Sequence, residues 1–292
     1  MDLQNKRIKT AIFPVGGFGT RFLPSTKAVP KEMLPVANKP IIQHAFEEAK
    51  SVGVEKFIFI TGRNKYAINN HFDRCYEIED CLKNNNKLEQ LKLLSDWLPS
   101  NPGNITFISQ EKPNGLGHAI YCARNFVNNE PFIVILPDEL IMEQTQGNFL
   151  QQMVDLHSKK QEKCNIISVV EIDKNKSNQY GIISVEGQDK ITDLVEKPTI
   201  EEAPSNLAIN GRYIFEPEIF QHLEAIKPDK NNEIQITDAI KLMLQNLPSY
   251  YSKYLGKRFD CGNYDGYLKA NIAYALAKDG NLKQEILATI NA

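Results

Sequence analysis

Three glycines in four positions, Gly16-Gly17-Phe18-Gly19, follow directly on an apolar, β-rich run from Ile8 to Val15. Such a run reads as a buried strand, and the glycines let the backbone turn sharply or approach a ligand closely. The same punctuation recurs. Pro40 to Val52 carries Ile41, Ile42, Ala45, Phe46 and Ala49 near helical spacing and stops at Gly53. Lys56 to Thr61 (KFIFIT) is a second apolar strand, ended by Gly62. Ile105 to Ser109 and Phe132 to Leu136 are a third and a fourth, with a helix expected between them from Gly117 to Val127. Strand, glycine loop and helix alternating in this way predict an α/β fold. The expected core is a Rossmann-like, mixed but mostly parallel sheet with helices on both faces.

The second half changes character. Cys164 to Ile172, Gly181 to Val185, Lys190 to Val195 and Leu207 to Phe215 are strand-like, while Pro217 to Leu223 and Thr237 to Gln245 read as helices. Tyr264 to Ile290 reads as terminal helices, with Tyr267, Leu268, Ile272, Ala275 and Leu276 on one side. A polar helical insertion is expected near residues 73–103, broken at Asn84-Asn85-Asn86. No repeat or linker divides the chain, so 1–292 is read as one domain. Its parts are a first half at about 8–136, a second at about 137–262, and C-terminal helices at about 263–292.

Charge narrows the partners. Lys and Arg number 34 against 36 Asp and Glu, a net −2, which calls for neither a nucleic-acid nor a membrane surface. Any anionic ligand must be met by a local cluster of cations. Hydrophobic residues at 42% and charged residues at 24% exclude a disordered chain. The N-terminal apolar run is too short for a signal core, and the five cysteines form no C-x-x-C pair. A cytoplasmic protein with reduced thiols is expected.

The glycine loop is neither a Walker loop nor G-x-G-x-x-G, because Phe22 stands at the third-glycine position. Its N–H groups suit an anion, although a plain tight turn would look the same. Arg21 offers a fork for phosphate oxygens and Lys31, stiffened by Pro30 and Pro35, a point charge; a solvated lysine is the alternative. Asp138 ends the apolar run FIVILPD, where open α/β sheets bind ligands. A carboxylate there suits Mg²⁺, which takes hard oxygens and keeps several waters, or simply caps a loop. Asp260 either joins it or caps the following helix. Lys197 in Glu196-Lys197-Pro198 reads as part of a solvated charged pair at a strand end. Gln110, whose amide can both donate and accept, reads on its own as a surface amide. His118 orients its loop or caps a helix, and Cys261 reads as a packing residue.

Taken in order, these segments resemble the signature of the sugar-phosphate nucleotidyltransferases. Gly16 to Pro24, Thr26-Lys27 and Lys31-Glu32-Met33-Leu34-Pro35 are similar to its uridylyl-transferring branch. So are Gln110 with Gly115-Leu116-Gly117-His118-Ala119, Leu136-Pro137-Asp138, Tyr180-Gly181, Val195-Glu196-Lys197-Pro198 and Ala203 to Ala208. Gly211-Arg212-Tyr213, Glu233 to Ala239 and Asp260-Cys261-Gly262-Asn263 complete a match over about residues 8 to 275. One departure is Gly16-Gly17, where that branch often has Ala-Gly and the thymidylyl-transferring relatives have Gly-Gly.

The resemblance implies an enzyme that takes UTP and glucose 1-phosphate to UDP-glucose and pyrophosphate, with a dTTP-using relative as the alternative. It implies Arg21, Lys31 and Lys197 as catalytic cations. Val15, Gly16, Gly17, Gly19, Thr20, Gln110 and Gly115 would hold the nucleotide, and Gly181, Glu196, Asn210 and Gly211 the sugar. Asp138 and Asp260 would hold Mg²⁺. It further implies a symmetric homo-oligomer, a dimer or tetramer. The missing methyl at Gly16 is expected to leave extra room in the base pocket.

Overall fold

In a computed structural model, residues 7–142, 148–278 and 280–290 are described. The chain opens with β1 (Thr10–Val15), three short 3₁₀ turns at Thr20–Phe22, Ser25–Lys27 and Lys31–Met33, and the hairpin β2 (Pro35–Val36) and β3 (Lys39–Pro40). Next come α1 (Ile41–Ser51) and β4 (Lys56–Thr61). The insertion holds three helices, α2 (Tyr66–Phe72), α3 (Tyr76–Asn84) and α4 (Leu88–Ser95). The expected break falls between α3 and α4, where Asn86 takes φ 52. β5 (Ile105–Ser109), α5 (Gly115–Cys122) and β6 (Phe132–Ile135) follow. Helix α5 is earlier and shorter than its apolar spacing predicts. Gly115 turns the chain at φ 92, and after Cys122 the backbone closes into turns, with Phe126 N–H donating to Ala123 O at 2.8 Å.

The second half adds β7 (Glu139–Met142), α6 (Phe149–Lys159), β8 (Asn165–Glu171), β9 (Gly181–Glu186), β10 (Lys190–Glu196) and β11 (Leu207–Phe215). It closes with α7 (Ile219–Ala225), α8 (Ile236–Met243), β12 (Ser249–Lys253), β13 (Lys257–Asp260), α9 (Tyr264–Lys278) and α10 (Gly280–Ile290). Nine strands form one sheet in the order β5-β4-β1-β6-β11-β8-β12-β10-β9. Parallel pairing runs from β5 to β6 and recurs between β8 and β12. The other neighbours are antiparallel, so the sheet is parallel in its first half and mixed in its second.

Alternation along each strand sends side chains to two cores. From β1, Ala11, Phe13 and Val15 join Phe46 of α1, Phe57, Phe59 and Met153 of α6 on one face. Ile12 joins Ile58, Ile60, Ile120 of α5, Ile219 of α7 and Ile240 of α8 on the other. Helices therefore cover both faces, as expected. Fully burying one such side chain contributes roughly 1.5–3 kcal/mol. A third cluster of Val36, Ile41, Leu140, Cys261 and Ala270 seats α9 and a separate ribbon, β7 paired antiparallel with β13. The apolar residues of α9 do not share one side. Tyr267 turns inward, its hydroxyl donating to Pro35 O at 2.8 Å, while Leu268 and Ile272 are exposed. Residues 267 and 268 lie about 100° apart on a helix, so the two faces separate.

Candidate active site

The carboxyl ends of β1, β5 and β6 open into a cavity of about 300 Å³ lined by Gly16, Gly17, Lys31, Gln110, Gly115 and Asp138, among others. Open α/β sheets bind ligands at this end of their strands. The glycine loop folds back over the Lys31 turn: Gly19 sits at φ 67, and a Cβ there would stand 3.3 Å from Lys31 Cβ. Thr26 Oγ1 donates to Gly19 O at 2.7 Å, closing that turn. Val15 is buried behind the loop rather than in the cavity wall. Thr20 and Arg21 form the following 3₁₀ turn. Both are exposed, and Arg21 is near enough to act electrostatically on Lys31 and Asp138.

Lys31 and Asp138 pair at 2.5 Å. Burial alone would lower the ammonium's pKa, but Asp138 and Glu32 outweigh it and raise it above the ordinary lysine value. Burial would likewise raise Asp138, yet Lys31 holds it below the usual carboxylate range. Both groups are therefore charged at neutral pH. Beneath them Glu32 is paired with Lys65 at 2.8 Å, both almost fully buried. Burial still pushes the Glu32 carboxyl up. That buried pair, missed from sequence, anchors the turn carrying Lys31.

The β7–β13 ribbon sets Glu139 opposite Asp260 and so brings Asp138 and Asp260 together. Cys261 N–H donates to Asp138 O at 2.7 Å. Gly262 lies between the two carboxylates: a Cβ there would stand 2.9 Å from Asp260 Oδ1 and 3.0 Å from Asp138 Oδ2. The two oxygens are thus no more than about 6 Å apart. Glu139 is not available to them, because Arg258 holds both of its oxygens at 2.6 Å. Burial pushes that carboxyl up to about 7 against the pull of Arg258. Among the described residues no cluster of three or more metal-binding side chains exists. Two carboxylates facing a cationic cavity fit a cation that completes its shell with phosphate oxygens and water, as Mg²⁺ does. They do not fit a tetrahedral zinc site. Cys261 is buried, and burial followed by the neighbouring carboxylates pushes its thiol up to about 12, which suits packing and not nucleophilic work.

Gln110 is held from three sides. Its backbone N–H donates to Thr61 O at 2.8 Å, and its side-chain Nε2 lies 3.2 Å from Gly115 O and 2.9 Å from His118 Nδ1. The room expected at Gly16 is not there: a Cβ would come within 2.8 Å of Gln110 Oε1. Gly115 is pinned in turn by the 233–234 segment, since a Cβ there would meet Ile234 O at 2.8 Å.

The expected sugar residues lie on β9, β10 and β11, with β11 beside β6. Glu196 Oε2 accepts from Thr237 Oγ1 at 3.0 Å, and its Oε1 meets Lys197 Nζ at 3.1 Å. Lys197 is exposed and takes φ 45, a left-handed backbone rare for a lysine. Gly181 lies against the same cluster, where a Cβ would stand 2.8 Å from Thr237 Cγ2 and 3.3 Å from Glu196 Oε2. Asn210 is 1% exposed, and both ends of its amide lack a partner among the described residues. A buried amide without partners is costly unless a ligand satisfies it. Gly211, at φ 80, packs against Leu136 just before Asp138, so the two ends of the site share one wall. Thr237 and Ile234 stand within the quoted Glu233 to Ala239 motif, yet their packing roles needed the fold.

Known proteins place this geometry. The Nucleotidyl transferase family matches residues 10–276. The UTP–glucose-1-phosphate uridylyltransferase of Pseudomonas aeruginosa is 43% identical over 276 residues, covering 91% of this chain and 96% of that protein. The solved structure described as a UTP-bound UGPase from Acinetobacter baumannii superposes with a TM-score of 0.86 at 35% identity, covering 96% of this chain and 99% of that one. A UDP-glucose pyrophosphorylase complexed with UDP-glucose gives 0.80 at 41% identity, covering 91% and 98%. On these matches over nearly its whole length, the chain belongs to the nucleotidyl transferase family, in the group of the UTP–glucose-1-phosphate uridylyltransferases.

Proposed function

We propose that the enzyme transfers UMP from UTP to glucose 1-phosphate, giving UDP-glucose and pyrophosphate. The observation that carries this reading is the meeting of Lys31, Gln110, Gly115 and Asp138 around one cavity beside the glycine loop. In this reading the sugar phosphate oxygen attacks the α-phosphorus of UTP in line, and pyrophosphate leaves without a covalent enzyme intermediate. Lys31 stabilises charge on the α-phosphate and the leaving oxygen. Arg21 and the N–H groups of Gly16, Gly17, Gly19 and Thr20 hold the β- and γ-phosphates. Lys197 aligns the attacking phosphate. Glu196, Asn210 and the backbone at Gly181 and Gly211 hold sugar hydroxyls, which would satisfy the Asn210 amide. Catalysis is then positioning and charge neutralisation. Asp138 and Asp260 would hold Mg²⁺, which supplies charge neutralisation on phosphate oxygens.

The exposed Leu268 and Ile272 face of α9 supports pairing with a second copy of the chain, and light scattering that returns a single-chain mass would overturn that part of the reading. A cytoplasmic location is supported by the five cysteines, none of which is in a disulfide. No described helix is long and apolar enough to cross a membrane.

Pyrophosphate release across UTP, dTTP, CTP and ATP with several sugar phosphates tests the substrate pair. UTP with glucose 1-phosphate should be fastest, with detectable dTTP use. A dTTP rate above the UTP rate would move the assignment to thymidylyl transfer.

A further inference from the structure

Gln110 lines the cavity and its amide can read a base edge by hydrogen bonding, and the two ends of that amide are not equivalent. Gly115 O, 3.2 Å from Nε2, can only accept, so the NH₂ end must face it. With that end fixed, His118 Nδ1 at 2.9 Å receives the second amide hydrogen and acts as an acceptor. The one other polar contact of Nδ1 is the Cys122 thiol at 3.9 Å, a weak group at the limit of contact. Both amide hydrogens are then used inside the protein. The oxygen is left without a partner among the described residues, against Gly16 at the cavity wall.

We infer that His118 is a positioning residue for base choice: it locks the Gln110 amide so that an oxygen, and not an NH₂ group, faces the base. An oxygen accepts from the N3–H of uracil or thymine. It meets cytosine N3, which carries no hydrogen, as acceptor against acceptor. The lock therefore selects keto pyrimidines and rejects cytosine. Gly16 belongs to the same device, because its missing Cβ leaves the place that the oxygen occupies. His118 stands in the first turn of α5, and that turn is tied down by Gly117 N–H donating to Ile234 O at 2.9 Å, so the acceptor is held in place. This inference rests on the proposed use of UTP.

The test measures KM for UTP, kcat, KM for glucose 1-phosphate and the inhibition constant of CTP against UTP, in wild type and in His118→Ala, His118→Asn and Gly16→Ala. His118→Ala should raise the UTP KM about tenfold, as loss of one hydrogen bond to the reading group would. The glucose 1-phosphate KM should stay within twofold, and the gap between UTP and CTP should narrow. Asn carries an acceptor oxygen at the same distance along the side chain as Nδ1, so His118→Asn should restore most of the UTP preference. Gly16→Ala should disturb the same amide, and the double variant His118→Ala with Gly16→Ala should be no worse than the poorer single one, since both release one group. An unchanged UTP KM and CTP gap in His118→Ala overturns the inference. So does a loss that Asn fails to restore. Absence of UDP-glucose formation in the wild type would instead count against the proposed function.

Discussion

Lys31 and Asp138, 107 residues apart in sequence, share an ion pair of 2.5 Å in the wall of the cavity beside the glycine loop. Burial disfavours the charge on both, and each favours the charged form of the other. Replacing Lys31 with Met removes the cation at the reacting phosphate and leaves Asp138 without its partner. Activity should fall by about 10³-fold or more, the size expected for a group that stabilises developing charge. The melting temperature should fall as well. Turnover within tenfold of wild type would contradict the role given to Lys31.

Asp260 makes its case through Gly262, beside which its carboxylate and that of Asp138 come within about 6 Å of each other. Asp260→Ala should lower kcat about 10³-fold. The small residual rate should respond less to EDTA than the wild-type rate does. Near-normal turnover of the variant in the presence of EDTA would remove Asp260 from the metal site.

Lys197 separates function from stability. Its left-handed φ of 45 strains a lysine but not a glycine. Lys197→Gly should melt at or near the wild-type temperature. Its kcat/KM for glucose 1-phosphate should nevertheless drop by about a hundredfold, with a smaller effect on the UTP KM. Unchanged use of glucose 1-phosphate would show that this ammonium does not hold the attacking group.

Beneath the site, Lys65→Met should strip Glu32 of its buried ion-pair partner and cost about 3–5 kcal/mol. Burial already pushes the Glu32 carboxyl up in the folded protein, and losing Lys65 pushes it further. The folded variant then takes up a proton at a higher pH than the unfolded chain does. Its deficit should be largest at pH 7–8 and shrink as the pH falls toward about 5. Melting curves across that range check the sign. A deficit that grows on acidification would mean that Glu32 is not the cause.

Much of the first half was legible in the sequence because strong periodicity met strong punctuation. Lys56–Thr61 and Ile105–Ser109 are strands over their expected bounds, since each is a short apolar run closed by a turn. The ribbon that joins Asp138 to Asp260 was not legible. Strand β13 reads Lys-Arg-Phe-Asp, and what buries its arginine is the ion pair with Glu139 across the ribbon. No pattern within four residues announces that. Strand β12, Ser-Tyr-Tyr-Ser-Lys, is too polar to read as a sheet interior, yet it lies between β8 and β10. Helix α6 carried a signal that the reading passed over: Phe149, Leu150 and Met153 at helical spacing after the capping Asn148, whose side chain accepts from Gln151 N–H. At the site, motifs named the residues, but the occupied space beside Gly16 and the Asn210 amide, unpartnered among the described residues, needed the fold.

The most direct test of the account follows the α-phosphate itself. Purified enzyme is incubated with UTP labelled at the α-phosphate, glucose 1-phosphate and Mg²⁺, and the label is traced through nucleotide, sugar nucleotide and protein. The account predicts label in UDP-glucose in step with pyrophosphate release, and none on the protein. Label trapped on the protein, or appearing as free UMP without UDP-glucose, would contradict it.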